Sequence, residues 1–128
     1  MILIIRIDKP ETEVGLYNEN QQAAYKTWEA HRKLSTTIHK VIQELLDQQK
    51  IEWTDIEGII YYKGPGSFTG LRIGASLANA ISVANKIPLV SQSGANWIEK
   101  GLQDLKQGKA MLAVPDYGSE PKTTIQKK

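Results

Sequence analysis

Two aspartates that directly follow predicted strands are the clearest candidates for chemistry in this sequence. Asp8 ends an isoleucine-rich run that starts at Ile2, and Asp116 follows a second apolar run over residues 110–114. Functional carboxylates of α/β proteins are common at strand ends, because ligands bind in the crevice beyond the sheet. If they face each other, the two side chains could hold Mg²⁺ for a metal-dependent nuclease or a remnant ATPase. A turn-forming role for Asp8 is the other interpretation.

Beyond this aspartate pair, the catalytic and metal-binding patterns are weak. The sequence contains no cysteine, which excludes disulfides, thiolate catalysis and thiolate metal ligands. His31 and His39 are eight residues apart, and this spacing fits no recognised pair of metal ligands. Ser67 has no histidine that the pattern places nearby, so a Ser-His-Asp arrangement is not indicated. We therefore predict no catalytic residue, no resident cofactor and no metal.

A glycine-rich loop lies between a predicted buried strand and a predicted helix. Backbone N–H groups at a helix start attract anions, which makes a phosphate or ligand cradle one interpretation. The P-loop pattern, however, requires Lys-Ser/Thr after its last glycine, and here Leu71 stands in that place. We favour the alternative, a structural turn in which a loop hydroxyl caps the next helix. The loop motif comprises Gly64, Pro65, Gly66, Ser67, Phe68, Thr69, Gly70 and Arg72.

The composition limits the classes of function. The chain has 128 residues, 41% of them hydrophobic and 23% charged, which suits one globular domain with its own core. A net charge of +2 argues against a strongly basic surface for nucleic acid, and the lysines near the C-terminal end are better explained as a solvated tail. The apolar start is too short for a signal peptide or a membrane span. We expect a cytoplasmic protein with no membrane segment.

The periodicity of apolar residues predicts three strands followed by alternating helices and strands. Two short connections in the first thirty residues favour an antiparallel meander. The predicted strands cover residues 2–7, the surroundings of Val14 and Leu16, and residues 22–28, 56–62, 88–90 and 110–114. The predicted helices cover residues 34–49, 71–85 and 95–105. Such an order gives an α/β fold, a mixed five-stranded sheet with helices packed on it, which matches a single ribonuclease-H-like lobe.

The second predicted helix carries no charged residue after Arg72. One apolar stripe, which includes Ile73 and Leu77, is predicted to cover the sheet. A second stripe, of small residues, would let a helix of another protein approach closely. A wholly internal helix is the alternative, but a chain of this size offers little to cover both sides. The predicted partner interface comprises Ile38, Ile42, Leu71, Gly74, Ala75, Ala78 and Ser82.

The string from Lys63 to Gly74, Lys-Gly-Pro-Gly-Ser-Phe-Thr-Gly-Leu-Arg-Ile-Gly, is highly specific. It resembles the signature of the TsaB (YeaZ) family, whose members commonly read Gly-Pro-Gly-Ser-Phe-Thr-Gly-x-Arg-x-Gly. The strand that ends at Asp8 and the segment 113–116 are also similar to segments of that family. The resemblance covers about residues 1–117.

The resemblance implies an actin-like, Hsp70-like ATPase fold and a role in making N6-threonylcarbamoyladenosine at position 37 of tRNAs that read ANN codons. In that system the paralogue TsaD carries the metal, the nucleotide and the catalysis, and TsaB is the non-catalytic partner that docks to it through a helical bundle. The resemblance therefore implies a TsaD-like partner, a TsaE-like ATPase on the assembled pair, and only indirect contact with tRNA. We also predict a homodimer when the chain is alone.

Two departures from the family pattern bear on nucleotide binding. Asp8 is followed by Lys9 and Pro10 where the family usually has threonine, so the hydroxyl of the first phosphate loop is missing. The second lobe is expected to be largely absent, with residues 1–109 forming the N-terminal lobe and residues 110–128 a vestige of the second lobe and a flexible tail. Because the nucleotide cleft of this superfamily lies between two lobes, we expect a non-catalytic scaffold.

Overall fold

A computed structural model of the chain describes residues 1–8, 11–29, 34–110 and 113. The predicted order of elements is confirmed over these residues. A short 3-10 turn, Trp53–Asp55, connects the first helix to the fourth strand. The strands and helices are β1 (Ile2–Arg6), β2 (Glu11–Asn18), β3 (Gln21–Glu29), α1 (Leu34–Gln49), β4 (Gly58–Tyr62), α2 (Phe68–Asn85), β5 (Leu89–Gln92) and α3 (Trp97–Lys106).

The strands form one mixed five-stranded sheet in the order β3-β2-β1-β4-β5. β1 pairs antiparallel with β2, and β2 pairs antiparallel with β3, because their connections are too short for a crossover. β4 pairs parallel with β1 and with β5, and the helices α1 and α2 supply the crossovers that parallel pairing needs. The predicted mixed five-stranded sheet is therefore confirmed.

Helices cover both faces of the sheet. The larger core lies on the face that carries α1 and α2, where Leu3 and Ile5 of β1 point toward both helices. The smaller core lies on the opposite face, where Ile4 and Ile60 pack with Trp97 of α3. Alternate residues of a strand point to opposite faces, which explains why β1 and β4 are apolar at nearly every position.

Element boundaries differ from the predictions by up to three residues. α2 begins at Phe68, three residues before the predicted start, because Ser67 accepts a hydrogen bond from the helix and acts as its N-cap. β4 begins at Gly58, since the two residues before it belong to a connection. Of the predicted strand over residues 110–114, only Ala110 and Ala113 lie within the described residues, and Asp116 and the predicted tail lie outside them.

The orientation of α2 differs from the predicted one. The small residues Gly74 and Ala78 face the sheet, and both are buried. A Cβ atom on Gly74 would lie 3.1 Å from Cε1 of Tyr61, so small side chains allow α2 to lie close against β4. Ile73 and Leu77, predicted to cover the sheet, are only partly buried. The prediction that the small-residue stripe faces outward is therefore wrong.

Candidate functional site

The glycine-rich loop packs directly on the end of β1. The backbone N–H of Ser67 donates to the carbonyl oxygen of Asp8 at 2.8 Å. A Cβ atom on Gly66 would collide with Cβ of Asp8, and one on Gly70 would lie 2.7 Å from the carbonyl oxygen of Ile7. Glycine is thus required at both positions by close backbone approach. This contact supports the interpretation of the loop as a structural turn.

Ser67 also fixes the start of α2. Its hydroxyl oxygen accepts from the N–H of Gly70 at 3.4 Å, and its carbonyl oxygen accepts from the N–H of Leu71 at 2.9 Å. The hydroxyl of Tyr61, in β4, donates to the carbonyl oxygen of Leu71 at 2.6 Å. The side chains of Ser67 and Tyr61 therefore hold the first turn of α2 in place. Thr69, in the same turn, is exposed.

Asp8, the candidate for metal chemistry, pairs with a guanidinium group. Nε of Arg6 lies 2.8 Å from Oδ1 of Asp8, and the Nη2 group of Arg6 donates to Oδ2 at 3.0 Å. Only 8% of the Asp8 side chain is exposed. The hydrogen bond to Asp8 raises the pKa of Arg6 above its ordinary value. Both carboxylate oxygens are thus engaged, and the bidentate geometry is the strongest that such a pair adopts.

Arg6 is itself held on three sides. Its Cζ atom lies 3.9 Å from the ring centroid of Tyr62, and its Nε lies 3.9 Å from Oε2 of Glu13. Tyr62 in turn meets Trp97 edge to face, with ring centroids 5.5 Å apart. A cation over an aromatic ring and between two carboxylates is a stable structural arrangement. The cluster ties the end of β1 to β2, β4 and α3.

The described residues offer little for metal binding. Within residues 1–8, 11–29, 34–110 and 113, no three histidine or carboxylate side chains converge as metal ligands would. His39 is exposed on α1, whereas His31 lies outside the described residues. Asp116, the predicted companion of Asp8, also lies outside them.

The seven residues predicted to contact a partner lie mostly in the core of this chain. Ser82 is the exception, and it is half-buried with its hydroxyl donating to the carbonyl oxygen of Ile87 at 2.5 Å. Because buried side chains are already covered by their own chain, the prediction that these residues form an exposed interface is corrected for six of them. The buried six are Ile38, Ile42, Leu71, Gly74, Ala75 and Ala78.

The opposite side of α2 is exposed and almost uncharged. Val83 is 69% exposed and Phe68 is 57% exposed, both high values for large apolar residues. A groove of about 370 Å³ opens along the N-terminal half of this side, with Ile73 and Leu77 in its wall. We call the surface the outer α2 face, and define it as Phe68, Thr69, Arg72, Ile73, Ser76, Leu77, Ala80, Val83 and Ala84.

A second groove, of about 310 Å³, continues this surface toward α1. Ala80 and Ala84 form its α2 side, while His39 and Trp53 form the other side. The indole N–H of Trp53 donates to Oε1 of Gln43 at 3.1 Å, which holds the ring against α1. The outer α2 face is therefore continuous with a shallow cleft between two helices.

Sequence reasoning missed the contact that holds Ala113 to α2. The side-chain amide of Asn79 donates to the carbonyl oxygen of Ala113 at 3.1 Å, and its Oδ1 accepts from the N–H of Ala113 at 2.7 Å. Ala113 is 5% exposed. Asn79 thus satisfies both backbone groups of one residue, as a neighbouring strand would.

The length and hydropathy of the helices also bear on the membrane prediction. Across the described ranges, none of the helices is long and apolar enough to span a bilayer.

Comparison with known proteins gives relatives that match most of this chain. It is 33% identical to the tRNA threonylcarbamoyladenosine biosynthesis protein TsaB of Buchnera aphidicola subsp. Acyrthosiphon pisum over 115 residues, which cover 89% of this chain and 52% of that protein. It is 28% identical to the protein of the same name from Escherichia coli K12 over 120 residues, 90% of this chain and 49% of that protein. The chain spans about half the length of these relatives.

Structural comparison gives the same fold. YeaZ from Pseudomonas aeruginosa superposes with a TM-score of 0.66 at 21% identity, over 84% of this chain and 49% of that chain. A model of the protein family described as TsaD: tRNA N6-adenosine threonylcarbamoyltransferase matches residues 27–111, which include α1, the glycine-rich loop and all of α2. The chain therefore belongs to that family, in which it resembles the TsaB (YeaZ) members.

Proposed function

We propose that this chain is a non-catalytic subunit that binds a TsaD-type protein and supports the formation of N6-threonylcarbamoyladenosine at position 37 of ANN-decoding tRNAs. The names of its relatives state a role in threonylcarbamoyladenosine biosynthesis. The proposal includes a cytoplasmic location, a TsaE-type ATPase that binds the assembled pair, a homodimer when no partner is present, and indirect contact with tRNA.

The outer α2 face is the single observation that carries this proposal. It displays Val83 and Phe68 at 69% and 57% exposure on a helix whose only charged residue is Arg72. Fully burying one such side chain against a partner is worth about 1.5–3 kcal/mol. A continuous apolar surface with few charges is typical of protein interfaces.

The state of Asp8 supports the non-catalytic part of the proposal. Its carboxylate is engaged by Arg6, and the glycine-rich loop packs against its backbone. A carboxylate that is to bind a metal or activate water needs a free oxygen aimed at the reacting group. A remnant ATPase or metal-dependent nuclease using Asp8 and Asp116 is the alternative, and no described contact favours it.

A change at Val83 tests the proposal. We expect Val83→Arg to weaken binding to the TsaD-type protein of the same organism by at least about 100-fold, because an unpaired charge in a dry interface costs several kcal/mol. Binding is measured by titration calorimetry. The matched control is Thr27→Arg. Thr27 is an exposed residue of β3 that lies opposite Glu13 in the register of β2 and β3, away from α2.

Two outcomes would count against the proposal. Equal affinity of Val83→Arg and the unchanged chain would show that the outer α2 face is not the docking surface. Tight, metal-dependent binding of Mg²⁺ and ATP to the chain alone would favour the enzymatic alternative.

A further inference from the structure

We propose that the partner helix on the outer α2 face brings a carboxylate to Arg72, and that this ion pair selects the partner and sets its register. The inference rests on the proposed function and adds the chemistry of the partner at one position. An interface that is otherwise apolar does not fix the alignment of the partner helix along α2, because apolar side chains can pack in many alignments. A single buried charge pair fixes that alignment.

Arg72 is the one charged residue of the outer α2 face. It is exposed and is the only charged residue among the eighteen residues of α2. Across the described part of the chain, no carboxylate lies within ion-pair distance of it, and its recorded contact is with Phe68, with Cζ 5.7 Å from the ring centroid. Arg6, by contrast, is bound by two carboxylates.

The position of Arg72 places its charge at the docking surface. It lines the groove of about 370 Å³ together with Thr69, Ile73, Ser76 and Leu77. A helix seated in this groove would remove water from the guanidinium group. An arginine that loses water without gaining an acceptor carries a large free-energy penalty, whereas its planar fork matches a carboxylate bidentately. A partner without an acidic residue here is disfavoured.

An α2 helix of a second copy fits the position poorly. α2 contains no carboxylate, so two α2 helices packed on each other cannot pair Arg72. Of the two acidic residues of α1, Asp47 accepts a hydrogen bond from Gln43 at 3.0 Å and Glu44 is exposed. The arrangement therefore favours an acidic partner helix over a second α2 helix at this position.

Charge reversal with rescue in the partner tests the inference. Arg72→Gln should weaken binding to the TsaD-type protein about 30-fold or more, and Arg72→Glu should weaken it further. Changing each exposed acidic residue on the helices of that partner to arginine should identify one that restores affinity to Arg72→Glu and weakens binding to the unchanged chain. Lys100→Glu is the control, because it makes the same change in net charge on exposed α3, across the sheet from α2.

The outcomes separate this inference from the proposed function. Loss of binding with Arg72→Glu and its rescue by one partner change would support the ion pair. If Val83→Arg abolishes binding while both Arg72 variants bind normally, docking stands and the carboxylate is refuted. If Arg72→Glu loses binding and no partner change restores it, the paired carboxylate is also refuted. If none of these variants alters affinity, the docking surface itself is wrong. Circular dichroism checks that each variant is folded.

Discussion

Arginine substitutions on the two sides of α2 should have opposite consequences. Ala78 has no exposed surface and lies in the core that also contains Ile5 and Tyr61. Ala80 is exposed and lies on the outer α2 face. We expect Ala78→Arg to unfold the chain or to destabilise it severely, and Ala80→Arg to leave the fold intact while preventing docking.

The magnitude follows from the environment of each residue. An unpaired charge forced into a core costs several kcal/mol even after relaxation, and overpacking adds about 1–3 kcal/mol. A domain of this size is stable by only about 5–15 kcal/mol. Since each kcal/mol shifts the melting temperature of a domain of this size by about 4 °C, Ala78→Arg should lower it by about 20 °C or more. Surface substitutions such as Ala80→Arg usually stay within about 0.5 kcal/mol.

Thermal unfolding followed by circular dichroism, together with titration of the TsaD-type partner, measures both effects. The reasoning is refuted if Ala78→Arg melts like the unchanged chain and loses only partner binding, because the small-residue stripe would then face outward. It is equally refuted if Ala80→Arg unfolds, since that position would then belong to the core.

Two further predictions concern packing and the contact between Asn79 and Ala113. Gly101→Ala should lower the free energy of unfolding by about 1–2 kcal/mol in urea denaturation. The added Cβ would lie 2.5 Å from Cγ2 of the fully buried Ile60, and the gain in helix propensity offsets only part of that strain. Gln103→Ala, on the exposed side of the same helix, is the control, and equal stability of the two variants would contradict the packing. Asn79→Leu should speed hydrogen exchange at the amide of Ala113 about tenfold or more in NMR, because both hydrogen bonds are lost. Asn79→Asp keeps an acceptor for that amide and should preserve most of the protection; identical exchange in all three proteins would rule the contact out.

Elements whose apolar residues follow a clear period could be predicted from the sequence. The orientation of a helix with two sides of similar hydropathy could not. In α1 the apolar residues fall on one stripe, and Val41, Leu45 and Leu46 on that stripe are buried. In α2 both stripes are uncharged, so hydropathy alone could not decide which one faces the sheet. The decision depends on the close approach of α2 to Tyr61, which favours Gly74 on the inner side.

The pairing of Asp8 with Arg6 could have been predicted from the sequence. Arg6, the last residue of β1, lies two residues before Asp8, and side chains at this spacing in extended backbone point to the same face. The hypothesis that Asp8 faces Asp116 overlooked this neighbour. The contact between Asn79 and Ala113 had no local signal, because 34 residues separate them and their pairing depends on how the chain returns to α2 after α3.

Photo-crosslinking at a single position of α2 tests the central claim most directly. Val83→p-benzoylphenylalanine places a photoreactive group on the outer α2 face. Thr27→p-benzoylphenylalanine, on β3, serves as the reference. Irradiation with the TsaD-type protein should link the two chains through position 83 and not through position 27. Crosslinking through position 27 with none at position 83 would contradict the claim.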